Sequence, residues 1–269
     1  MVNNQTQPDI ITSNKGSQAN RWLIEDWLPI GHRGMVGSPE ENFKTTFKCY
    51  CSVCIAAGIP IFGHKVQQCP VIVLDEETPE PDLLNWLQRF SLGLGFKSWT
   101  ELPIKVLSMS GFRFSRKSEM GKLCPVIENE KAGFISIDSV VACLPGGREG
   151  KGENNAETGT AIRDDLIEML SYMTNGTILI NAHCKKFMQE LNIKQIKGYE
   201  FGSLVRGHGS IVGEACDTGV LIKKISEHPE PTRFVIITKA RRRAIPMVAH
   251  DVYVELKEQE YGKGWARLE

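Results

Sequence analysis

Three stretches of this chain are apolar almost throughout, and each closes on an ionisable or polar group. They are Val71-Ile72-Val73-Leu74-Asp75-Glu76-Glu77, Phe134-Ile135-Ser136-Ile137-Asp138-Ser139 and Thr177-Ile178-Leu179-Ile180-Asn181-Ala182-His183. Runs this short, rich in β-branched residues and without polar alternation, read as strands buried on both faces. Such strands belong to a parallel sheet covered by helices. The covering helices are expected at Pro81–Phe90, with Leu83, Leu84 and Leu87 in helical spacing behind a starting proline, and at Ala161–Met173. Ile104–Met109 reads as a further short strand, and Gly219–Ile225, Phe234–Thr238 and Val252–Leu256 as closing β segments. Alternating strands and helices give an α/β fold with a mostly parallel sheet and a C-terminal β extension. Gly111–Cys124 reads as a basic, irregular region, and Leu144–Thr158 as a mobile loop.

The 269 residues allow one large domain or two small ones, and no internal repeat divides them. Residues 1–20 are rich in Asn, Gln, Ser and Thr without periodicity and read as a disordered tail. Residues 21–269 are then one domain, opening with Trp22–Pro29. Lys+Arg and Asp+Glu are both 32, so no global basic field announces nucleic acid. The N-terminus lacks an apolar signal core, and no run approaches membrane-spanning length. A soluble, cytoplasmic protein is expected. Of the eight cysteines, Cys49, Cys51 and Cys54 cluster, but no second Cys/His pair follows at finger spacing. They read as small buried positions on a helix over Thr46–Ala57 rather than as zinc ligands.

That helix follows Gly37-Ser38-Pro39-Glu40-Glu41-Asn42-Phe43-Lys44-Thr45-Thr46, itself preceded by an apolar strand end at Met35-Val36. A strand, a tight turn, then Lys-Thr opening a helix is the layout of a phosphate-binding loop. Exposed amides and the positive dipole end would hold phosphates. Lys44 would reach the β- and γ-phosphates of a triphosphate, and the Thr45 hydroxyl would sit on Mg²⁺. The usual pattern has glycine where Ser38 and Phe43 stand, so an ordinary polar turn is the alternative.

Open α/β sheets bind ligands along the edge where these strands end. Asp138 is the natural acid to act on Mg²⁺ from outside its direct ligands, through water or Thr45, or else a helix N-cap. Glu77 could orient and deprotonate an attacking water, with Asp75 and Glu76 as competitors.

Taken in order, Trp22–Pro29, Gly37–Thr46, Val71–Glu77, Phe134–Ser139, Ile178–Lys186 and Val205–Ser210 resemble the RecA-fold ATPases of the RepA type. These are hexameric replicative helicases of plasmids and phages. The resemblance covers roughly residues 21 to 257, and it implies a RecA-like P-loop NTPase core with helices on both faces of the sheet. By position it implies Lys44 and Thr45 as phosphate and Mg²⁺ residues, Glu77 as the catalytic glutamate and Asp138 as the Walker B aspartate. His183 falls at a sensor position, and Arg206 at that of an arginine finger given to the neighbouring subunit. Otherwise His183 is a core histidine and Arg206 a surface cation paired with a carboxylate such as Glu200. Phe43 departs from the pattern and crowds the loop.

The resemblance implies an Mg²⁺-dependent ATPase that assembles into a homohexamer or another ring or filament and acts on single-stranded DNA. The loops Leu144–Thr158 and Lys186–Leu204 would face the ring centre, with Arg148, Lys151, Lys194 and Lys197 supplying phosphate contacts. Lys239-Ala240-Arg241-Arg242-Arg243 is a further basic run that contacts a phosphate backbone or decorates a hairpin. The alternatives are a nucleotide-switched scaffold that never unwinds DNA, and an interaction module that binds no nucleotide.

Overall fold

The computed structural model describes residues 22–39, 43–145, 156–185, 192, 200–207, 209–225, 233–240, 251–258 and 266–268. The proposed tail at 1–20 and most of the two proposed ring-centre loops, with Arg148, Lys151, Lys194 and Lys197, lie outside the described residues. So do Arg241–Arg243.

The three apolar runs are strands, as their composition requires. They are β4 (Val71–Asp75), β6 (Phe134–Asp138) and β7 (Thr177–His183), with side chains buried on both faces. With β3 (Arg33–Ser38), β5 (Ile104–Ser108) and β8 (Thr218–Lys224) they make a six-stranded parallel sheet in the order β5-β4-β6-β7-β3-β8. Three antiparallel strands extend it beyond β8: β9 (Arg233–Ala240), β10 (Asp251–Glu258) and β11 (Ala266–Leu268). A small antiparallel pair, β1 (Trp22–Ile24) and β2 (Leu28–Pro29), opens the ordered chain.

Two hydrophobic layers cover the sheet. One face carries α1 (Lys44–Ala57) and α2 (Glu80–Gly93), with Phe47, Leu83, Leu87, Phe90, Val71 and Val73 in the core. The other carries α3 (Lys117–Asn129), α4 (Ala156–Ser171) and the short helices α5 (Phe201–Leu204) and α6 (Gly209–Ala215). The expectation of helices on both faces holds. Each helix has a local cause. α2 starts behind Pro79 with Pro81 in its first turn, beside Glu80 and Asp82, which suit the positive dipole end. α1 stops at Gly58, whose φ of 71° is a left-handed cap conformation, with the Ile59 amide donating to the Cys54 carbonyl at 2.9 Å.

The irregular reading of Gly111–Cys124 is corrected by α3, whose stripe of Met120, Leu123, Cys124 and Ile127 recurs at helical spacing and is buried. Gly121 and Pro125 hide that stripe, because both are poor residues for a helix interior. Tertiary burial outweighs them. The loop expected at Leu144–Thr158 is likewise shortened by α4, which begins at Ala156. Cys49, Cys51 and Cys54 are fully buried in α1 as free thiols. Among the described residues, no helix is long and apolar enough to cross a membrane.

Candidate functional site

Parallel strands bring their C-terminal ends to one edge. The ladders place Asp75 beside Asp138 and Ser38 beside His183. The first turn of α1 rises over this edge, and between it and the segment after β4 lies a cleft of about 810 Å³. Lys44, Thr45, Thr46, Glu77, Asp138 and His183 all line it, with Phe43 at its margin.

At Phe43, the residue just before α1, the backbone keeps a shape that the side chain obscures. Phe43 stands where a glycine is usual and takes that glycine's left-handed conformation, with φ 78° and ψ 1°. A non-glycine residue there costs about 1–2 kcal/mol. The phenyl ring is buried among apolar side chains, which offsets the strain. Lys44 is therefore the first residue of α1, and the helix's first-turn amides, which no intrahelical carbonyl can satisfy, open toward the cleft. Lys44 Nζ donates to the Pro39 carbonyl at 3.1 Å and lies 3.4 Å from Ser38 Oγ. Gly37 belongs to β3, where a side chain would run into Cys184. Glu40, Glu41 and Asn42 lie outside the described residues.

The Thr45 hydroxyl donates to Asp138 Oδ2 at 2.8 Å, so the hydroxyl and carboxylate expected on the metal stand side by side. Among the described residues no group of three or more His, Cys, Asp or Glu could enclose an ion. One hydroxyl and one carboxylate beside a phosphate cradle suit Mg²⁺, which keeps waters and takes the rest of its shell from substrate phosphates.

The three acids at the end of β4 have three different partners. Asp75 is fully buried, and its Oδ1 accepts from the Glu77 and Thr78 amides, turning the chain sharply after the strand. Glu76 points away from the cleft and accepts from Ser110 Oγ (2.6 Å), the Gly111 amide (3.1 Å) and Arg113 Nη1 (2.9 Å). Glu77 alone faces the cleft, with His183 Nε2 at 3.2 Å from its Oε1. That contact, opposed by burial and helped by Ser139, holds the Glu77 carboxyl well below its usual range, at about 2.

Lys48 was not anticipated. It lies one turn beyond Lys44 on α1 and is 1% exposed, with Nζ 2.5 Å from Asp75 Oδ2 and 3.0 Å from Asp138 Oδ2. Burial opposes its charge, but Asp138 and Asp75 outweigh that and raise the ammonium's pKa. Burial pushes Asp75 upward against the same ammonium. The only advance signal was a lysine inside a helix whose other residues read as core. Farther along, Ser52 Oγ lies 3.4 Å from Ser136 Oγ, so polar pairs continue between α1 and β6.

Arg206 is exposed and does not line the cleft; its amide donates to the His183 carbonyl at 2.8 Å. The neighbouring Cys184–Val205 bridge ties it to the end of β7.

A family model described as AAA domain matches residues 6–187, the stretch that holds the loop and the strands ending at Asp75, Asp138 and His183. Among solved structures, a KaiC-like protein from the hyperthermophilic archaeon Pyrococcus horikoshii OT3 superposes with a TM-score of 0.56 at 14% identity. The match covers 92% of this chain and 93% of that one. That likeness places the fold among RecA-like α/β folds. No curated protein matches the chain by sequence.

Proposed function

The chain belongs to this AAA-domain family of P-loop ATPases, and on that premise we propose that it is an Mg²⁺-dependent ATP hydrolase acting as a RepA-type ring helicase on single-stranded DNA. One observation carries the ATPase reading. Lys44 at the start of α1, Thr45 bonded to Asp138, and Glu77 held by His183 share one cleft. In this reading the first-turn amides of α1 and Lys44 hold the β- and γ-phosphates. Thr45 and Asp138 would hold Mg²⁺, which when bound neutralises charge on those phosphates. Glu77 is ionised at neutral pH and aims a carboxylate oxygen at the attacking water. Its low pKa suits orienting that water more than stripping its proton early. His183 fixes the carboxylate, and its carbonyl accepts from the Arg206 amide, which ties Arg206 to the β7 end.

Arg206 outside its own cleft fits a guanidinium given to a second copy's γ-phosphate, a role worth about 10³–10⁵ in rate where it operates. Support for the helicase reading is the ordered set of motifs that resembles RepA-type proteins. The test is ATP turnover with and without single-stranded DNA, beside native mass measurement. DNA-stimulated turnover by a ring-sized assembly is expected. Turnover indifferent to DNA, with an assembly state that follows nucleotide, would favour a switched scaffold instead. A mixture of inactive Arg206→Ala and inactive Lys44→Ala should regain turnover if the site is shared between copies.

A further inference from the structure

Asp75 and Asp138 face each other across the β4–β6 ladder, both almost fully buried, and converge on Lys48 Nζ. Without Lys48 between them, both could be ionised together only with another cation in the recess, which opens at Thr45 into the cleft. Paired carboxylates beside a hydroxyl offer a divalent ion several hard oxygen ligands on one side of its shell. We propose that Lys48 is a built-in cation that makes divalent-metal capture at Thr45 and Asp138 conditional on bound nucleotide.

The geometry gives the reason. Asp138 Oδ2 accepts from both Thr45 Oγ1 and Lys48 Nζ, so Oδ1 is the oxygen left for an ion or its water. One ammonium against two carboxylates leaves a single net negative charge in the recess. A hard cation finds too little there to repay its dehydration until phosphates complete the shell. Lys48 is thus a positioning residue. It locks the Asp138 carboxylate against Thr45 and keeps the recess closed to metal until substrate arrives.

The inference rests on the ATPase reading for its biological sense, but its test begins without nucleotide. Mn²⁺ serves as the probe, followed by electron paramagnetic resonance and calorimetry, with ADP absent and then present. Nucleotide-free wild type should show no saturable Mn²⁺ site at micromolar to low millimolar metal. Lys48→Met keeps both carboxylates without the ammonium and should bind Mn²⁺ at least tenfold more tightly. Lys48→Met combined with Asp75→Asn restores the net charge of the recess and should return Mn²⁺ binding to the wild-type level. A purely structural lysine would leave Mn²⁺ affinity equal in all folded variants, and that result overturns the proposal. A tight Mn²⁺ site in nucleotide-free wild type overturns it as well. If Lys48→Met unfolds in metal-free buffer, millimolar Mn²⁺ should restore its far-UV circular dichroism, and failure to do so counts against the proposal. Absence of ADP binding to wild type would overturn the ATPase reading and leave the nucleotide-free arms standing.

Discussion

The start of α1 and the turn after β4 border the same cleft; in the proposed function the first works through its backbone and the second through its side chains. The proposed phosphate site rests on a left-handed residue at position 43 and a row of amides at the start of α1. Phenylalanine supplies the conformation at a cost of about 1–2 kcal/mol, which its burial repays. After β4, the function depends on which of three adjacent acids points where. One residue of slip would exchange a buried ion pair, a loop clamp and a cleft carboxylate. Backbone-borne sites tolerate changes of residue type, and side-chain-borne sites do not.

The sharpest way to break this contrast is to compare Glu77→Gln with Glu76→Gln. Glu77→Gln should keep ATP affinity and lose about 10²–10⁴ in turnover, the range for a general base. Glu76→Gln should keep the chemistry and instead lose stability, because its charge holds Ser110, Gly111 and Arg113; hydrogen bonds to a charged group are worth about 1.5–3 kcal/mol. Steady-state kinetics and urea unfolding on both variants decide it, and a swapped outcome means that the cleft acid is misassigned.

Next in size is Lys44→Ala, which removes the one side chain on which the backbone-borne turn depends. A weakening of ATP binding by about 2–5 kcal/mol is expected, the cost of truncating one partner of a buried charge pair. Calorimetry showing unchanged affinity would end the phosphate-loop assignment.

A smaller effect probes the backbone directly. Phe43→Ala and Phe43→Gly remove the same ring, but only glycine also relieves the left-handed strain. Phe43→Gly should be the more stable of the two by about 1–2 kcal/mol, the reverse of their order inside a helix. Chemical denaturation measures the difference, and equal stabilities would show that Phe43 is unstrained.

The smallest expected effect concerns pH. The Glu77 carboxyl is depressed from its ordinary 4.5 to about 2, first by His183. A depressed carboxyl contributes stability that is complete above the ordinary value and is lost as pH falls toward about 2. His183→Gln should raise the Glu77 pKa and move this loss to higher pH, shifting the acid-unfolding midpoint upward. An unmoved midpoint by circular dichroism would show that His183 does not hold the carboxylate.

Much of the fold was legible because its signals are redundant. β4, β6 and β7 each announce themselves by several consecutive apolar residues, and their acidic or imidazole ends fall on one edge for any parallel sheet. Asp138 and His183 fall on that edge for the same reason, and Lys44 and Thr45 because a Lys-Thr pair opens the helix that follows a strand and a turn. α3 was not, because its stripe is four residues long and interrupted by Gly121 and Pro125. Nor were the separate fates of Asp75, Glu76 and Glu77, which depend on partners far away in sequence: Lys48, Arg113 and His183. A residue's type announces a charge, while its role is fixed by what the fold packs against it.

The approach of β11 to α2 bears on how the molecule comes to be. Gly93 ends α2 in such close contact with Ala266 that a methyl group there would strike the Ala266 carbonyl. Tyr50 on α1 donates its hydroxyl to the Leu268 carbonyl nearby. Every strand that forms the cleft edge lies between Arg33 and His183, so that edge is encoded well before β11. During synthesis the half that holds the cleft can therefore take shape while the covering strand is still to be made. Contacts between distant segments form slowly, and closing the longer loop adds only about 0.6 kcal/mol per doubling. The delay is one of time rather than of energy. Until β11 arrives, the parts of Tyr50 and α2 that meet Ala266 and Leu268 stay uncovered, and in that interval a nascent chain of this design is most in need of a chaperone.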